Sequence, residues 1–189
     1  LANLTEEGER MITPLPVFHM NAMAYSFMAM VTVGGCLTVL DRFHPRQWWS
    51  DAGASSATCL HYLGLMPSML LGFEPSPGDR AHSVRFGFGA GVDPKLQVAF
   101  EQRFGFPLVE AWAMTETGAG AVIAASTTER LVAQASIGMP AKDVDCLIVD
   151  DSGTPSDVGE LLVRRAGGDP RYGFFSEYYK DAAATAEAW

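Results

Sequence analysis

Two short segments carry residue types that can do chemistry together. The first is Gly89-Ala90-Gly91-Val92-Asp93-Pro94, which a predicted strand, Val84 to Phe88, feeds and an amphipathic stretch from Pro94 follows. Glycines at a strand's carboxyl end let a flat ligand approach the backbone closely, and in open α/β sheets that edge is where ligands bind. The same residues also suit an ordinary tight turn between strand and helix. The second segment is Glu110-Ala111-Trp112-Ala113-Met114-Thr115-Glu116-Thr117-Gly118. Trp112 offers a face on which a base can stack. Thr115 brings a hydroxyl and Glu116 a carboxylate, hard oxygen groups suited to a phosphate and its Mg²⁺. The competing interpretation is a helix N-cap, with Thr and Glu in a first turn.

Positioning both segments requires alternating strands and helices. The sequence predicts a strand end and turn at Pro14-Leu15-Pro16-Val17-Phe18-His19 and a buried helix over 20–33, apolar nearly all round. A strand over 36–40 follows, then a helix from Pro45 to about Gly53, a strand over 58–63 and a helix opening at Pro67. Strands at 84–88 and 108–111 flank a helix over 94–104 that Gly105 closes. This alternation predicts an α/β fold with a mostly parallel sheet covered by helices. After Ala125 the pattern changes. Strands at 146–149 and 159–163 joined through Asp150-Asp151-Ser152-Gly153 predict a hairpin, and hence a smaller antiparallel β-rich lobe. The expected division is therefore 1–125 for the α/β part and 126–189 for the β-rich part, with a loop and then a helix over 178–189.

Composition bounds the function. With 13 basic and 22 acidic residues the net charge is −9, which disfavours nucleic acid as a partner. A nucleotide can still bind through backbone N–H groups and a metal ion. Cys36, Cys59 and Cys146 lie far apart in apolar runs, with no CxxC spacing, and read as buried, reduced thiols of a cytoplasmic protein. The stretch 11–40 holds no Asp, Glu, Lys or Arg, long enough for a bilayer span. Pro14, Pro16 and Gly34-Gly35 interrupt it, which favours loop, helix and strand over one continuous span. Met20, Met23, Met28 and Met30 supply an adaptable apolar surface.

The segments Gly89-Ala90-Gly91, Phe100-Glu101-Gln102-Arg103-Phe104-Gly105 and Glu110 to Gly118 resemble, in order and spacing, the adenylate-forming superfamily. It comprises acyl-CoA synthetases, luciferases and peptide-synthetase adenylation domains. Pro14 to His19 is similar to its P-L-x-H segment, and Gly159-Glu160-Leu161-Leu162-Val163-Arg164 to its GELxVRG strand. Residues 174–189 resemble its stretch ending A-T-A-E-A-F. Within the superfamily the chain looks most like bacterial acyl-CoA synthetases of the crotonobetaine/carnitine-CoA ligase kind. Trp112 and Ala113 stand where the family string has tyrosine and glycine.

The resemblance implies ATP-dependent activation of a carboxylic acid to an acyl-adenylate, then transfer to CoA, with ATP, Mg²⁺ and CoA taking part. By the same analogy Thr115 contacts a phosphate and Glu116 holds Mg²⁺. Gly89, Ala90 and Gly91 with Glu110, Ala111 and Trp112 enclose the adenine, next to Ala113 and Met114, and His19 lies by the acyl carboxylate. His44, His61 and His82 receive no role. The resemblance places the family's phosphate loop, ribose-binding Thr-Gly-Asp and catalytic lysine outside residues 1–189, so the chain is expected to be a portion of a longer, cytoplasmic enzyme, for which a homodimer is compatible. The alternative is a nucleotide-binding or structural module from a degenerate or isolated domain without activity of its own.

Overall fold

A computed structural model describes residues 4, 8–118, 121–126 and 130–189. Two compact units make up the chain: Leu1–Trp112 with Ile123–Met139, and Ala113–Val122 with Pro140–Trp189.

The first unit is built on a sheet whose described strands are β1 (Arg10–Thr13), β2 (Cys36–Val39), β3 (Cys59–Leu63), β4 (Phe86–Ala90), β5 (Leu108–Trp112), β6 (Ile123–Ala124) and β7 (Met139–Pro140). They lie in the order β2-β1-β3-β4-β5-β6-β7. β1 to β5 pair in parallel, and β6 runs antiparallel to β5, setting Trp112 opposite Ile123. β3 is buried along all but its last residue, as expected of a parallel strand covered on both faces.

The helices follow from their sequences. In α5 (Pro94–Phe104), Pro94 occupies the first turn, and the Asp93 carboxylate accepts the Lys95 N–H at 2.9 Å. Phe100 and Phe104, four residues apart, point inward together. They join Ile12, Leu60, Tyr62 and Leu108 of the sheet, Trp48 of α3 (Trp48–Ala54), and Met66 and Leu70 of α4 (Leu65–Leu71) in one core. α3 starts three residues later than the sequence predicts, because Pro45 opens a turn closed by the Gln47 N–H on His44 O.

The predicted helix over 20–33 forms as α1 (Met20–Ala22), a π-helix (Met23–Met28) and α2 (Ala29–Thr32). It ends before Gly34, and β2 begins at Cys36. No helix among the described residues is long and apolar enough to cross a membrane.

In the second unit β8 (Val144–Val149) pairs antiparallel with β9 (Glu160–Arg165), Val149 opposite Glu160. The connection is longer than the predicted tight hairpin. Asp150 does organise a turn, its Oδ1 accepting the N–H groups of Ser152 and Thr154. The chain then returns to bridge Val149 with Pro155 and to donate the Ser156 N–H to Ile148 O before β9 begins. The segment ends in α6 (Ala182–Glu187), whose first turn is capped by Asp181.

The cysteines correct the sequence reading. All three are free, yet only Cys59 is buried. Cys36 is half-buried, and Cys146 is exposed on the two-stranded sheet. An apolar run predicts burial only where a second layer covers the strand, and the middle of β8 is open.

Candidate active site

Strand order locates the functional edge of the first unit. From β1 the chain moves to β2 on one side and then to β3 on the other, so the connections diverge at the β1/β3 boundary. In open α/β sheets ligands bind beyond the carboxyl ends of strands at such a switch point. Because β1, β3, β4 and β5 are parallel, the segments leaving them, Pro14–His19, Gly64, Gly91 and the end of β5, share that edge.

His19 is the N-cap residue of α1. Its backbone is extended, its side chain makes no capping bond, and it is exposed against the Phe18 ring at 4.4 Å between centroids. Pro16 O takes the His19 N–H, and His19 O accepts the Met23 N–H, which fixes the turn that delivers it.

β4 reads Phe-Gly-Phe-Gly-Ala, so Gly89 and Ala90 belong to the strand and the turn proper starts at Gly91. Gly89 is obligatory for packing, since a Cβ there would drive into the backbone carbonyl of Tyr62. The turn is held from β5. Glu110 is buried, and its carboxylate accepts the Gly91 N–H at 2.8 Å, the Val92 N–H at 3.3 Å and the Tyr62 hydroxyl. A buried carboxylate demands such donors. Burial, then the Glu110 charge, pushes the Tyr62 phenol well above its ordinary range, so it stays a donor. The sequence named Glu110 but not Tyr62, whose identity carries no periodic signal.

Behind this edge the π-helix contributes Ser26 to His61 of β3, Oγ to Nδ1 at 2.7 Å, both groups fully buried. Burial drives the His61 pKa down to about 4. His61 therefore carries a packing and hydrogen-bonding role where the sequence assigned none. Its Nε2 and the nearby buried Tyr25 hydroxyl have no hydrogen-bond partner among the described residues, and both rings lie against Phe88, at 5.8 and 5.5 Å.

Thr115 and Glu116 belong to the second unit, as do Ala113 and Met114. Residues 115–118 form a turn, and no described residue there starts a helix, so the N-cap interpretation of Glu116 is not what the chain adopts. Thr117, not Thr115, ties the turn. It is buried, its hydroxyl accepts the Met114 N–H at 3.3 Å, and it donates to Met114 O at 3.0 Å. Thr115 is left exposed and Glu116 half-buried. The Tyr178 hydroxyl donates to Glu116 Oε1 at 2.9 Å, and the Phe175 N–H to Glu116 O at 2.8 Å. The hydrogen bond to Glu116 raises the Tyr178 pKa.

The comparisons with known proteins agree with this architecture. The AMP-binding enzyme family matches residues 2–179. The chain belongs to that family. It is 28% identical over 177 residues to a crotonobetaine/carnitine–CoA ligase of Shigella flexneri, covering 93% of this chain and 34% of the relative. The chain thus spans about a third of that relative's length. Two solved structures share the fold. A benzoate CoA ligase from Burkholderia xenovorans superposes with TM-score 0.81 at 12% identity, covering 97% of this chain and 37% of that one. An o-succinylbenzoate coenzyme A synthetase from Bacillus subtilis, in complex with AMP, gives 0.75 at 21% identity, covering 100% and 37%. The mostly parallel sheet with helices and the small antiparallel pair is the fold of these adenylate-forming enzymes.

Proposed function

We propose that a full-length ligase carrying this sequence activates a carboxylic acid with ATP and passes the acyl group to CoA. In the first step a carboxylate oxygen attacks the α-phosphorus; the bond to the bridging oxygen breaks and pyrophosphate leaves. In the second the CoA thiol gives up its proton and attacks the acyl carbon, and AMP departs with the C–O bond electrons. Neither step requires a protein nucleophile, so the chain's residues act by positioning and charge.

Within that reading, the Gly89-Ala90-Gly91 backbone with Glu110, Ala111 and Trp112 borders the adenine, beside Ala113 and Met114. The Thr115 hydroxyl meets a phosphate oxygen, and His19 serves the acyl carboxylate. Glu116 suits Mg²⁺. It is a hard oxygen donor, Oε2 accepts no hydrogen bond among the described residues, and this ion commonly takes one or two protein carboxylates beside substrate phosphates and water. When bound, the ion would neutralise charge on the departing pyrophosphate.

The observation that supports this reading most is the turn 115–118. It leaves a hydroxyl exposed and holds a carboxylate by a tyrosine hydrogen bond, in the residues that directly follow β5, within a chain that belongs to the AMP-binding family. The test is pyrophosphate release by a full-length ligase carrying this sequence, screened against a panel of carboxylic acids with and without CoA. Acid-dependent release, with AMP and acyl-CoA as products, is expected. ATP binding with no release for any acid would favour the nucleotide-binding module instead.

A further inference from the structure

The family resemblance assigns Glu116 but gives no part to the segment packed on it. Residues 173–178 brace the 115–118 turn at three points. Tyr178 donates to the Glu116 carboxylate, Phe175 donates its N–H to the Glu116 carbonyl, and the Gly173 carbonyl lies so close that a Cβ on Gly118 would sit 2.7 Å from it. Tyr178 is itself held. Its N–H donates to Thr185 Oγ1 at 3.0 Å, Thr185 donates on to Asp181 O at 2.7 Å, and its ring packs on Phe175 at 4.8 Å between centroids. The chain of contacts thus runs from the cap of α6 to one oxygen of Glu116.

We propose that Tyr178 is the positioning residue of the Glu116 carboxylate, engaging Oε1 so that Oε2 is presented to a divalent cation. This rests on the assignment of Glu116 to the cation. A half-buried glutamate otherwise samples several rotamers, and ordering it opposes binding. A phenol suits the task because it is neutral. No described lysine or arginine pairs with Glu116; such a partner would cancel the charge that a cation needs, whereas a hydroxyl orients the carboxylate and leaves it anionic. Hydrogen-bonded partners of metal-ligating carboxylates typically matter by 10–100-fold in metal affinity or activity.

The test uses Tyr178→Phe, Glu116→Gln and the double variant in a full-length ligase carrying this sequence. Phe keeps the ring against Phe175 and removes only the hydroxyl. Mn²⁺ binding in the presence of ATP, followed by electron paramagnetic resonance, is read beside the Mg²⁺ half-saturation of adenylation and the melting temperature. Tyr178→Phe is expected to weaken Mn²⁺ binding and raise the Mg²⁺ requirement about 10-fold, with the melting temperature nearly unchanged. The double variant should be no worse than Glu116→Gln alone, since the two groups act as a unit. Thr185→Val, which loosens the Tyr178 backbone, should move Mn²⁺ affinity the same way by less, and it serves if Tyr178→Phe does not fold. Wild-type Mn²⁺ affinity in Tyr178→Phe, beside a loss in Glu116→Gln, overturns the role of Tyr178 and leaves that of Glu116 standing. Unchanged Mn²⁺ affinity in Glu116→Gln overturns both. A lowered melting temperature with unchanged cation binding marks the tyrosine as structural and also overturns the proposal.

Discussion

Replacing Glu116 by glutamine keeps its size and its ability to accept the Tyr178 hydroxyl but removes the negative charge. If the carboxylate serves a cation on the pyrophosphate side, the loss falls on adenylation. We expect about two to three powers of ten, or roughly 3–4 kcal/mol of transition-state stabilisation. Thiol transfer from supplied acyl-adenylate should suffer much less. Measuring both half-reactions and the melting temperature on one variant checks this; equal damage to both halves would contradict it. As candidates, Thr115 and Glu116 were legible in the sequence because hydroxyl and carboxylate sit side by side after a strand. Their supports were not. Tyr62 is 48 residues from Glu110 and Tyr178 is 62 residues from Glu116, and no local pattern announces a contact made by folding. Thr117 was also passed over, although adjacent, because a hydroxyl that ties its own turn looks in sequence like one offered to a ligand.

At the scale of elements, helices and strands were readable wherever periodicity or a cap marked them. α5 matches its predicted limits since Asp93, Pro94 and Gly105 bound it. β6 and β7, two residues each, carry too few side chains to show a period. The π-helix was hidden for another reason: an apolar run shows helical burial but not the extra residue in a turn, and π-turns often occur at functional positions. Here it brings Ser26 to His61, and that pairing has a consequence for pH. An unfolded histidine takes its proton near pH 6.5, whereas buried His61 resists until about 4. Between these values the unfolded chain binds more protons than the folded one, so stability rises with pH across the window and falls as acid is added. The contribution is complete above pH 6.5 and amounts to roughly 3 kcal/mol over the interval. Urea midpoints of wild type and His61→Gln from pH 4 to 8 check it. The difference between the two should shrink on acidification and be constant above pH 7; a difference independent of pH would show that His61 takes up its proton equally in the folded and unfolded chain, and would contradict the lowered pKa.

At the scale of the whole molecule, the candidate residues fall in different units: His19, Gly89, Ala90, Gly91 and Trp112 belong to the first, and Thr115 and Glu116 to the second. The α/β class was legible because each strand–helix alternation repeats the same hydrophobic logic. The open faces of β8 and β9 were not, since Leu147, Ile148 and Leu162 are apolar strand residues yet are 46%, 37% and 45% exposed. A two-stranded pair has too little area to build a core by itself. The last prediction concerns the 189-residue polypeptide alone. Adenylation needs phosphates, ribose and acyl carboxylate fixed together, and effective molarity is lost when any of these is left mobile. The sequence contains no Thr-Gly-Asp to grip a ribose, and the chain spans only 34% of its crotonobetaine/carnitine–CoA ligase relative and 37% of its benzoate CoA ligase neighbour. The purified polypeptide is therefore expected to show no acid-dependent pyrophosphate release, while a full-length ligase carrying the same residues does. Assaying both with the same acids and the same Mg²⁺ decides it. Turnover by the polypeptide alone would mean that these 189 residues are sufficient for the chemistry and fix ribose and phosphate without a Thr-Gly-Asp segment.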